Sequence, residues 1–190
     1  MARGIGGKTT RDMVLSLLPL VALILLFAGV VGMCSFSPGG PSTDPGAAPT
    51  VDASAELTRA AREVGFAVRE PRLPDDWRAN SFALQEVDAR ARTRAVRTGW
   101  LVPGGYLRLS QSDADEPSLV EFETRVDRPA AQGVVDVSGV SWVRYPSVRD
   151  ESAWVADLDG VRLLVTGSAT EDEFRALATA VLAAEPLPTR

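Results

Sequence analysis

Three carboxylates, Asp113, Asp115 and Glu116, crowd one short stretch at the end of an apolar run. Paired acids at a strand end suit two chemistries. One is glycoside-type hydrolysis, with one acid protonated and one ionised; the other is a cage of hard oxygens around a cation. The same residues also have a plainer use. Asp115-Glu116-Pro117 puts side-chain oxygens and a proline at a helix start, where N–H groups lack partners and proline is tolerated. Capping accounts for every one of these residues, so the stretch reads as a solvated turn entering a helix. Asp157 reads as a cross-strand partner of Arg162, Asp159 as a turn residue, and Glu171, Asp172 and Glu173 as first-turn acids.

Other chemistries are closed off by composition. The chain contains no His, which removes His-dependent nucleophiles and His-ligated metals. Its single Lys is Lys8, so no Ser-Lys pair exists beyond the N-terminus, and one cysteine, Cys34, allows no internal disulfide. Neither a Gly-x-Ser-x-Gly elbow nor a phosphate loop is present. Gly4 to Thr10 looks faintly like the end of a phosphate loop, but no strand precedes it. Trp77, Trp100, Trp142 and Trp154 could line a cleft; three of them fall on the apolar faces of hairpins and read as core. No catalytic, cofactor-binding or metal-binding residue is therefore assigned, and no cofactor is expected.

The 190 residues are 45% hydrophobic and 24% charged, the balance of a chain that folds. The net charge of −5 argues against nucleic acid as a main partner. All but one of the 20 basic residues are arginine. Taking away Arg3, Lys8, Arg11 and Asp12 leaves 17 basic and 24 acidic side chains in residues 35–190, a net charge of −7. Anionic headgroups and polymers repel such a surface.

Met13 to Met33 carries no charge. At about 1.5 Å per residue it spans roughly 30 Å, the hydrocarbon thickness of a bilayer. Arg3, Lys8 and Arg11 precede it, so the positive-inside rule places residues 1–12 in the cytoplasm and the rest outside. A cleaved signal peptide would have a shorter apolar core and a small-residue site, which is missing. A lipoprotein signal would want a small residue, not Met33, before Cys34. Residues 34–51 are rich in Pro, Gly, Ser and Thr and read as a spacer. Residues 52–190 are long enough for one core without disulfides.

Within that stretch, Asp52 caps a helix with Ala53, Leu57, Ala60, Ala61 and Val64 on one side and Gly65 as its stop. Pro71 to Trp77 forms a stiff turn ending in an aromatic anchor. Three hairpins follow. With Gly104-Gly105 as the loop of the first, Val102 faces Leu107 and Trp100 faces Leu109. Ser138-Gly139 joins the second, pairing Val137 with Val140 and Val135 with Trp142. Asp159-Gly160 joins the third, pairing Leu158 with Val161, Asp157 with Arg162, Ala156 with Leu163 and Trp154 with Val165. Between the first two, a short helix after Asp115 buries Leu119, Phe122 and Val126. Thr170 and Glu173 make a capping box for a last helix, with Phe174, Leu177, Ala178, Val181 and Leu182 inward. The fold class is α+β: an N-terminal transmembrane helix, then one extracytoplasmic domain with an antiparallel sheet of six or seven strands and flanking helices, laid against one face.

The stretch Cys34-Ser35-Phe36-Ser37-Pro38-Gly39-Gly40-Pro41 after a single anchor, and then Leu73-Pro74-Asp75-Asp76-Trp77, resembles an actinobacterial membrane-protein family known as domain of unknown function 4245. So do Leu109 to Ala114, Trp154 to Leu158, and Thr166-Gly167 before the acidic capped helix. The resemblance covers nearly the whole chain and implies an Arg-rich, Lys-poor envelope protein with no assigned catalytic residues. A looser similarity, of element order only, is to the extracytoplasmic sensor modules of anti-sigma-type regulators. A stub of residues 1–12 is too short for a sigma-factor-binding domain.

The function expected is that of a non-enzymatic, membrane-anchored envelope protein. It is held in the plasma membrane by residues 13–33, and its outer domain serves as an interaction or accessory module for an envelope protein or lipid. A lipid- or small-ligand-binding carrier is the alternative, and a cavity of several hundred Å³ between sheet and helices would favour it. A carboxylate-dependent hydrolase is the second alternative.

Overall fold

The structure, a computed structural model, describes residues 17–20, 23, 49–148 and 151–189. Residues 1–12, most of the expected span at 13–33 and most of the spacer lie outside them. Inside the span, Leu17, Leu18, Pro19, Leu20 and Leu23 are helical and exposed. Among the described residues no helix is long and apolar enough to cross a membrane. The elements below belong to one compact unit, Ala48–Arg190.

Helix α1 (Ala53–Glu63) starts where Asp52 accepts the Ala55 N–H at 3.0 Å. It buries Leu57, Ala60 and Ala61 and gives way at Val64, just before Gly65. The Pro-rich segment closes with Trp77 N–H donating to the Pro74 carbonyl at 3.0 Å. Then come β1 (Arg78–Asp88), β2 (Thr93–Val102), β3 (Gly105–Ser112), α2 (Glu116–Thr124), β4 (Gly133–Val137), β5 (Val140–Pro146), β6 (Ser152–Leu158), β7 (Val161–Gly167) and α3 (Glu171–Ala183). The strands form one antiparallel sheet in the order β1-β2-β3-β7-β6-β5-β4.

The second and third hairpins have the predicted registers, Val137 opposite Val140 and Leu158 opposite Val161. Ser138, Gly139, Asp159 and Gly160 all have positive φ, as a type I′ turn demands. The capping box of α3 is present on both sides.

Three expectations need correction. First, the helices do not lie against one face. Trp100, Leu107, Leu109, Trp142, Trp154 and Leu163 meet Phe174, Leu177 and Val181 of α3, while α1 packs on Val96 of the same face. Helix α2 packs on the opposite face, against Ala95, Ala153, Val155 and Leu164. The cause is visible in β6 and β7. Ala153 to Ala156 and Leu163 to Val165 are buried without a break, the mark of strands covered on both sides.

Second, the first hairpin turns at Pro103-Gly104, so Val102 faces Gly105 and Trp100 faces Leu107. The difference is two residues, so every side chain keeps its face. The turn is held from outside the hairpin: Gly104 N–H donates to Glu173 Oε1 of α3 at 2.8 Å. A Cβ at Gly104 would strike that same carboxylate. Third, α2 turns Leu119, Val120, Glu123 and Thr124 inward, leaving Phe122 and Val126 half-buried. The seven strands agree with the expected six or seven; the one outside the three predicted hairpins is β1, whose alternation is broken by register shifts at Ala79/Ser81 and Glu86/Asp88.

Candidate functional site

The three clustered carboxylates do not converge. Asp113 Oδ1 accepts the Arg94 N–H at 2.9 Å, and Asp115 Oδ1 caps α2 by accepting the Ser118 N–H at 2.8 Å. The hydrogen bonds from Ser118 hold Asp115 below the usual carboxylate range. Glu116 Oε1 accepts from Tyr145 Oη at 2.6 Å. That bond, with burial and the carboxylate charge, pushes the tyrosine up to about 12. Among the described residues no group of three His, Cys, Asp or Glu is placed to hold a metal ion. Asp157 pairs with Arg162, as the register required, and Asp159 takes its turn position with φ of 55°. Burial would raise Glu173, but N–H groups of Thr170 and Gly104 and the Thr170 hydroxyl outweigh it and keep it low.

The tryptophans are spent on the core. Trp100, Trp142 and Trp154 are buried, and Trp154 meets Phe174 with ring centroids 5.1 Å apart. Trp77 is half-buried at the margin of the same cluster. Cys34 and Gly4 to Thr10 lie outside the described residues.

A different carboxylate is the unusual one. The Glu123 side chain, on the inward side of α2, is wholly buried. Arg97 of β2 approaches Oε1 with Nε at 2.8 Å, although that N–H is not aimed along a hydrogen bond, and donates from Nη2 to Oε2 at 3.0 Å. Arg108 of β3 reaches Oε2 at 2.8 Å, and Ser110 Oγ donates to Oε1 at 2.6 Å. A buried carboxylate is tolerated only with charge and hydrogen bonds around it, and here both oxygens are served. Arg97 also donates to Gln85 of β1. The cluster thus ties α2 by charge to two neighbouring strands, β2 and β3, and Arg97 reaches on to β1.

Sequence reasoning missed this cluster because a Glu at an inward helical position looks like an error until its partners are known. The signal was Arg97 and Arg108, each set between core residues at the alternate strand positions.

Beside the cluster lies an open groove of about 570 Å³ between the end of β1 and α2. Val87, Phe122 and Val126 give it apolar lining. Asp88, Glu121, Asp127 and Arg125 line it as well. The guanidinium carbons of Arg97 and Arg125 both lie 5.2 Å from the centre of the Phe122 ring. Asp88 Oδ1 is committed to the β1–β2 turn, accepting Arg90 N–H at 2.7 Å. Among the described residues Glu121 and Asp127 have no side-chain partner. Arg125 holds a left-handed backbone, φ 59°, as the C-cap of α2.

Fold and site together define an α+β domain with one antiparallel sheet, a filled aromatic core on one face and a charge-anchored helix on the other. The chain belongs to the family described as protein of unknown function DUF4245, whose pattern matches residues 6–181. No curated protein matches it. Among solved structures it is similar to a GTP binding regulator from Thermotoga maritima at 11% identity, covering 73% of this chain and 95% of that one, with a TM-score of 0.41. At that distance nothing about nucleotides transfers to this chain.

Proposed function

We propose that this is a single-pass plasma-membrane protein of an actinobacterial envelope. Residues 1–12 lie inside, 13–33 span the bilayer, 34–51 form a spacer and 52–190 an outer domain that serves as a non-enzymatic interaction or accessory module. The observation that carries the reading is the uncharged run from Met13 to Met33, preceded by Arg3, Lys8 and Arg11. The arginine-rich, lysine-poor composition supports the actinobacterial part.

Two features of the outer domain favour a module over the alternatives. The acids that a hydrolase would need are engaged in a cap, a tyrosine bond and a bond to the backbone of β2. The space between the sheet and α3 is occupied by Trp100, Trp142, Trp154, Phe174 and Leu177, and the space of about 570 Å³ between β1 and α2 is a groove open to solvent with a charged lining, not the enclosed apolar cavity a carrier needs.

Protease added to intact spheroplasts tests the topology. Digestion of the C-terminal domain is the expected result, and full protection reverses the orientation. Co-purification of envelope neighbours with solubilised full-length protein tests the module. Recovery of the protein alone, from membranes in which it is abundant, counts against it.

A further inference from the structure

We infer that the groove between β1 and α2 receives a single arginine or lysine side chain of a partner protein, presented among aliphatic residues. The inference deepens the module reading above and rests on it. Three observations point the same way. The lining includes Val87, Phe122 and Val126, so the occupant must bring apolar surface to cover them. The lining holds three carboxylates against one guanidinium, and two of those carboxylates, Glu121 and Asp127, have no partner among the described residues. The Phe122 ring already hosts two guanidiniums, Arg97 and Arg125 at 5.2 Å each, so the chemistry proposed for the partner is one that this ring performs within its own chain.

The two arginines differ in how they are held. Arg97 is 14% exposed and bound to Glu123 and Gln85. Arg125 is exposed, and among the described residues its side chain has only the ring. Arg125 therefore fills a position that a better-placed cation can take from it. The occupant is a lone cation rather than a basic run, because Arg90 and Arg92 lie on the adjoining β1–β2 turn without lining the groove. At physiological ionic strength charges about 8 Å apart still feel one another, so those arginines oppose a second positive charge.

The probe is a fluorescein-labelled pentapeptide, acetyl-Gly-Leu-Arg-Leu-Gly-amide, titrated by anisotropy against the full-length protein in lipid nanodiscs. Replacing its Arg by Gln should weaken binding about tenfold, and Glu121→Gln with Asp127→Asn should do the same. Arg125→Ala should strengthen it, an outcome that loss of structure would not produce. Tetralysine should bind more weakly than the pentapeptide. Equal binding of the Gln peptide, an unchanged affinity in the double variant, no gain in Arg125→Ala, or tighter binding of tetralysine would each overturn the inference. Neighbours that co-purify equally with wild type and double variant would leave the module standing and remove the groove from it; none with either would fail the module itself.

Discussion

The two faces of the sheet are built by different physics. On one, α1 and α3 cover Val96, Trp100, Trp142, Trp154 and Leu163, and the stabilisation is removal of apolar area from water. On the other, α2 is a short helix with two buried leucine-class side chains, Leu119 and Val120, and a buried carboxylate. It is held to the sheet by the packing of Leu119 and Val120 on Ala95, Ala153, Val155 and Leu164, and by Arg97, Arg108 and Ser110 meeting Glu123. Burial is tolerant of small shifts, whereas an ion pair in the interior demands geometry. The charged face is thus the one where position is specified most narrowly, and the groove carrying Phe122 lies on it.

The comparison can be broken most severely from the apolar side. Trp142 is fully buried, and Trp142→Ala should cost about 3–5 kcal/mol of a total near 5–15 kcal/mol. Chemical denaturation of the α+β domain measures it, and a loss below about 1 kcal/mol would mean that this face is not the main core. A smaller effect comes from the turn that orders β6 and β7 beneath both faces. Gly160 has φ of 85° with open space at its Cβ position, so Gly160→Val should cost roughly 1–3 kcal/mol by backbone strain alone. Gly65, equally unhindered and without positive φ, is the control, where valine should change the melting temperature far less. Equal losses would place the cost elsewhere than in φ.

The smallest effect sharpens the charged side. Tyr145 is raised in the folded state, so its contribution is complete below the ordinary tyrosine range near 10 and lost as pH rises through about 12. Tyr145→Phe should therefore lower stability by about 1 kcal/mol at neutral pH, and the difference from wild type should close between pH 10 and 12. A difference that does not vary with pH would mean that the hydroxyl is not bound to Glu116 in solution.

Much of this architecture was legible from residue types alone. Ser138-Gly139 and Asp159-Gly160 gave two hairpins to the residue, because only a few dipeptides accept two positive φ values. Thr170 and Glu173 gave the start of α3 for a similarly local reason. What escaped was non-local. The turn at Pro103-Gly104 is selected by Glu173 on a distant helix. Strand β1 hides behind two register shifts. The rotation of α2 follows from arginines on β2 and β3, which no rule about one helix contains. The candidate site was the least legible part, since Glu123 and its arginines are far apart in the chain and meet only once the sheet has formed.

The central claim is that the Glu123 charge cluster, in addition to the packing of Leu119 and Val120, fixes α2 in place. Amide hydrogen exchange of Glu123→Gln, in helices α2 and α3 together, tests it most directly. Replacing the carboxylate leaves two largely buried guanidiniums short of their counter-charge, a loss of about 2–3 kcal/mol that should speed exchange of Leu119–Thr124 by roughly 30- to 150-fold. The amides of Phe174 to Val181 should keep their wild-type protection. Unchanged exchange in α2, or an equal loss of protection in both helices, would contradict the account.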